Sequence, residues 1–148
     1  MTSFIRVFVL LLGSFVLTVH AGSFRAGAAR IDITPAADAA LPMSGYGGRT
    51  QGFRRIHDNV YVRAIVLDDG TTQAALVAWE SLFVPDEVWT ETSKRIAAET
   101  GIRPENLLLS AVHDHGAPTL GLGETAPKTA AYTKSVVDAC PWRIGKLA

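Results

Sequence analysis

Beyond residue 22 the spacing of apolar positions changes several times, and each change marks a different element. Residues 24–34, FRAGAARIDIT, alternate around Ile31 and Ile33 and then meet Pro35, which predicts a short strand ended by proline. Residues 35–55 are rich in Gly, Pro and Ala, with Met43-Ser44-Gly45-Tyr46-Gly47-Gly48 at their centre. This is a loop, and its glycines let the backbone approach a ligand or another strand closely. Residues 60–67, VYVRAIVL, have strong β-propensity, Asp68-Asp69-Gly70 is a hairpin turn signal, and residues 73–79, QAALVAW, form the returning strand. Both strands are apolar at most positions, which predicts a sheet covered on both faces.

Residues 85–100 predict a helix. Pro85 suits a first turn, Asp86 and Glu87 favour the N-terminal end, and Val88, Trp89, Ile96 and Ala97 recur near helical spacing. Gly101 ends it. Residues 107–112, LLLSAV, are a further buried strand, and alanine-rich residues 129–140 a second helix cut off by Pro141. A strand, a helix and a strand in that order predict a crossover. The fold class expected is therefore α/β, a mixed β-sheet with flanking helices.

The first 21 residues follow a different logic. Arg6 precedes an uncharged apolar run over residues 7–19, and Val19-His20-Ala21 offers a peptidase site. This pattern predicts a secretory signal peptide over residues 1–21, with the mature domain over 22–148 and a secreted or periplasmic location. The run is shorter than the roughly 20 residues that span a bilayer. The 14 basic and 14 acidic residues balance, with no basic stripe, so no nucleic-acid partner is expected. The single cysteine, Cys140, excludes an internal disulfide and a cysteine zinc cluster, and is expected to be a small buried hydrophobe.

The sharpest chemical signal is His113-Asp114-His115 at the end of an apolar strand. Side chains repeat every two residues along a strand, so both imidazoles share a side if strand geometry persists. Imidazole nitrogen is a natural zinc ligand, and α/β domains bind ligands beyond the carboxyl ends of their strands. Asp114 would face away and could fix a loop. His57 lies just before a strand; it either reaches the same site or sits in a connecting loop. Alone, H-x-H is a weak pattern, and two polar residues in a strand-to-loop turn are the plainer reading. No G-x-S-x-G is present, and the Asp-His pair that metallo-β-lactamases place after H-x-H is replaced by Gly116-Ala117-Pro118.

Several segments in order resemble the N-terminal part of the neutral/alkaline non-lysosomal ceramidases. They are residues 26–35 (AGAARIDITP), 43–47 (MSGYG), 56–58 (IHD) leading into Val62-Arg63-Ala64, and 105–115 (ENLLLSAVHDH). The resemblance covers residues 26–118, with a weaker echo at Ala131-Tyr132-Thr133. It implies a zinc (Zn2+) amidase that cleaves ceramide, or a related lipid amide substrate, into a sphingoid base and a fatty acid, with peripheral membrane contact. It also implies that His113 is a metal ligand and that His115 is a catalytic hydrogen-bond donor or proton relay.

The sequence departs from the family pattern in places. Val112, Asp114 and Gly116-Ala117 stand where the family has threonines and Ser/Ala-Gly, and Glu80 stands where an aspartate usually ends the strand. These differences point to a divergent branch. In the resembling enzymes the remaining zinc ligands, a histidine, a glutamate and a tyrosine, come from regions far beyond the equivalent of residue 148. The expectation is a truncated or frameshifted family member with little amidase activity of its own. The alternative is a non-catalytic secreted domain that keeps the fold without a complete metal site.

Overall fold

The computed structural model describes residues 23–144 apart from Ser44, Gly48 and Thr50, together with all side chains in that span except those of residues 125 and 141–143. The signal peptide expected over residues 1–21 lies outside the described residues. Four strands form one sheet in the order of the chain: β1 (Arg25–Asp32), β2 (Tyr61–Asp68), β3 (Gln73–Trp79) and β4 (Leu107–Ala111). β1, β2 and β3 pair antiparallel, and β4 joins β3 in parallel. Helix α1 (Asp86–Thr100) is the crossover between β3 and β4, and α2 (Ala130–Ile144) follows β4. The sheet is mixed, as the order of elements requires: a two-strand hairpin can close in a few residues, whereas a parallel return needs a crossover.

The hairpin between β2 and β3 forms because Asp69 organises it. Its carboxylate accepts from the backbone N–H groups of Thr71 and Thr72, each at 2.8 Å, and its own N–H donates to the Thr72 carbonyl. α1 starts behind Pro85, carries Asp86 and Glu87 in its first turn, and stops at Gly101, whose φ of 78° lets its N–H reach the Ala97 carbonyl. Val88 and Ile96 are fully buried. α2 does not end at Cys140: it continues to Ile144, past Pro141. A helical proline forfeits a backbone bond, but Val137, Cys140 and Ile144 recur at helical spacing and all are buried, which holds the last turn in place.

The core lies between the helices and one face of the sheet. Val62, Ala64 and Val66 of β2 pair with Trp79, Val77 and Ala75 of β3, and the last two pair with Leu109 and Leu107 of β4. All are buried against Val88, Ile96, Val136, Val137 and Cys140. The other face corrects the expectation of a sheet covered on both sides. Ala28, Ile65, Leu76 and Leu108 form one row across all four strands. Ile65, Leu76 and Leu108 are 47%, 42% and 60% exposed. Both helices lie on the other side, so an apolar strand sequence meets packing on one face and solvent on the other among the described residues. Cys140 is buried as expected, and burial pushes its thiol pKa up to about 12.

Candidate active site

β3 and β4 are parallel, so both deliver their carboxyl ends to the same edge of the sheet. Pairing runs on past the strands: the Val112 N–H donates to the Trp79 carbonyl at 3.0 Å, and the Asp114 N–H to the Ser81 carbonyl at 2.9 Å. His113 sits between these two bonds with a left-handed φ of 65°. For a residue with a Cβ that conformation costs about 1–2 kcal/mol, and the flanking bonds hold it there. Its Nδ1 lies 3.1 Å from the Leu82 carbonyl oxygen. A carbonyl can only accept, so in the neutral ring Nδ1 carries the proton and the lone pair falls on Nε2. A backbone acceptor on one imidazole nitrogen is how proteins orient the other towards a metal.

His115 stands edge-on to His113, with ring centroids 5.2 Å apart and planes at 82°. The imidazoles are thus brought together, but by a turn and not by strand alternation, because β4 ends at Ala111 and the backbone at His113 is left-handed. His115 also meets the Tyr46 ring, with centroids 6.0 Å apart and planes at 79°. The glycine loop is carried there by backbone pairing. Met43 bridges Pro118, and the Thr119 N–H donates to the Pro42 carbonyl at 2.8 Å. Arg49 caps the loop from above Tyr46 at 5.6 Å.

Asp114 is engaged in its own turn: its Oδ1 accepts from the Gly116 N–H at 2.6 Å, which closes a turn across His115. It lines a cavity of about 410 Å³ together with Gly116, His57, Asp58 and Glu80. His57 therefore shares a wall with the residues flanking His115 but makes no ring contact with either imidazole. Its Nδ1 pairs with Asp58 at 2.7 Å, and that hydrogen bond and charge raise its pKa above the ordinary histidine value. Glu80 ties strand ends together, accepting from the Tyr61 N–H at 2.7 Å and from Arg63 Nε at 3.0 Å.

A catalytic zinc takes at least three protein ligands. Among the described residues no three His, Cys, Asp or Glu side chains converge on one metal position. The residues present therefore fit one corner of a zinc site, at His113 Nε2, and not a complete one. Two participants had no signal in the sequence as read: the Leu82 carbonyl, because any residue type supplies one, and the contact partner of Gly45, because the loop showed only that something could approach closely.

Fold and site together define the class: an α/β domain that presents paired imidazoles beyond the carboxyl edge of its sheet. Residues 24–140 match the family described as neutral/alkaline non-lysosomal ceramidase, N-terminal, and the chain belongs to that family. It is 30% identical over 108 residues to the neutral ceramidase of Drosophila melanogaster, a match that covers 71% of this chain and 15% of the fly protein. The crystal structure of neutral ceramidase from Pseudomonas aeruginosa superposes with a TM-score of 0.65 at 25% identity, over 84% of this chain and 21% of that one. A ceramidase complexed with C2 gives a TM-score of 0.61 at 26% identity, over 81% of this chain and 20% of the other. The chain thus spans about a fifth or less of the relatives it matches.

Proposed function

We propose that this chain carries the front part of a zinc-dependent amidase site that hydrolyses the amide bond of ceramide, or of a related N-acyl lipid, to a sphingoid base and a fatty acid. The observation that carries the reading is the His113–His115 pair, held at the sheet edge with His113 Nε2 left as a lone-pair donor. His113 is the zinc ligand of this reading. His115, beside it, donates a hydrogen bond or relays a proton at the reacting amide. Zinc, when bound, would lower the pKa of its water towards ~7 and so supply hydroxide. The further ligands come from polypeptide outside the matched stretch. Residues 1–21 serve as an export signal for a domain over 22–148, in a secreted or periplasmic protein that touches membrane peripherally to reach its lipid substrate. The matched ceramidases, one of them complexed with C2, support ceramide as the substrate class.

A second reading is a non-catalytic secreted domain, and the absence of a three-ligand cluster among the described residues favours it. Calorimetric zinc titration of the purified chain and of His113→Ala separates the two. The amidase reading expects zinc binding that His113→Ala weakens by at least roughly 10–100-fold. Binding that His113→Ala leaves intact would give the non-catalytic reading the field. With one corner of the site only, the chain alone is expected to release little fatty acid from a short-chain ceramide. Robust zinc-dependent release would refute the need for outside ligands.

A further inference from the structure

The glycine loop contributes more than a close approach. Gly45 has φ +82°, and a Cβ built on it would overlap Nδ1 and Cε1 of His115, nearer than real Cβ atoms come to a ring. Two backbone ties, Met43 with Pro118 and Pro42 with Thr119, hold the loop to the segment just after His115. The loop therefore cannot retreat from the ring without breaking them. Tyr46, the next residue, meets the same imidazole edge-on. Gly47 provides a contrast within one loop. It too is left-handed, with φ +53°, yet a Cβ there meets nothing within 4 Å among the described residues.

We propose that Gly45 is a positioning residue for His115: the missing side chain makes the slot in which the imidazole stands, its Nδ1 side against the loop and its plane nearly perpendicular to that of His113. A side chain at Gly45 displaces the ring, whereas one at Gly47 costs only backbone strain. Both left-handed positions disfavour alanine, so the difference between them isolates the contact with His115. The functional importance of this slot rests on the role proposed for His115. The slot itself rests on geometry alone.

The test uses the purified chain without zinc or substrate. NMR on the unsubstituted chain should show cross-relaxation between the Tyr46 ring and the His115 imidazole. We expect Gly45→Ala to abolish it and to shift the His115 ring resonances, while Gly47→Ala preserves both. Retention of the Tyr46–His115 contact in Gly45→Ala would overturn the proposal, as would equal loss in both variants. If Gly45→Ala does not fold, the double variant Gly45→Ala/His115→Ala decides. Recovery of the folded state supports the slot, because the smaller side chain removes the overlap; failure to recover overturns it. Neither outcome bears on zinc binding, so a failed slot leaves the amidase reading to its own titration.

Discussion

At His113 a single backbone angle decides what the side chain can do. Extended geometry there would carry the ring onward with the strand; the left-handed turn instead sets Nδ1 against the Leu82 carbonyl and leaves Nε2 outside that bond. His57 illustrates the opposite case, a histidine with a strong local partner and no place in the pair. Its raised pKa comes first from the hydrogen bond to Asp58 and then from that carboxylate's charge. We expect an NMR titration to place the His57 midpoint above the ordinary 6.5, and Asp58→Asn to bring it back down. A raised pKa means the favourable pairing is complete below the ordinary value and is lost as pH rises through the folded-state value. Salt should weaken the shift, because both groups are exposed. Equal midpoints in the two proteins would refute the assignment. The residue types of the pair His113 and His115 were legible in the sequence, but strand spacing was not what brought them together. Their orientation was not, because a carbonyl acceptor and a positive φ leave no mark on residue identity.

Among the elements, strands and helices follow their sequence patterns closely, and the exceptions are at ends. β3 occupies residues 73–79 as the pattern predicts, and β4 stops one residue before Val112. α2 overruns Pro141 because buried side chains on its last turns outweigh one lost backbone bond. α1 contains an imperfection that offers a test. Thr92 is fully buried on its inner face, and its hydroxyl has no hydrogen-bond partner among the described residues. Burying a hydroxyl without a partner costs about 1–3 kcal/mol. Valine has nearly the same shape without that group. Thr92→Val is expected to stabilise the chain by about 1 kcal/mol, seen as a higher urea midpoint with unchanged slope. A lower midpoint would mean that the hydroxyl is satisfied in solution.

Over the whole molecule the dominant fact is the asymmetry of the sheet. Two helices cover one face, while the other shows solvent the row Ala28, Ile65, Leu76 and Leu108. Arg30 and Arg63 flank the Tyr61 ring at 4.8 and 4.9 Å towards one end of that face. An apolar row that is not buried should attract apolar solutes. The purified chain is expected to enhance the fluorescence of an apolar dye, and Leu76→Lys with Leu108→Lys to remove most of that enhancement while retaining the far-ultraviolet circular dichroism. Unchanged dye binding in the double variant would locate the exposed surface elsewhere. The sequence pattern could not anticipate this face, because an apolar strand residue looks the same whether its neighbour is a helix or water.

The sequence by itself determined the elements, the parallel return of β4, the turn at Asp69 and the residue types of the candidate site. These depend on local periodicity, turn chemistry and side-chain identity, all of which act over a few residues. Tertiary structure alone decided which sheet face is covered, that α2 outlasts its proline, that Leu82 orients His113, and that Gly45 stands against His115. Each of those joins groups distant along the chain, and such contacts depend on where packing brings the backbone, which no local pattern records.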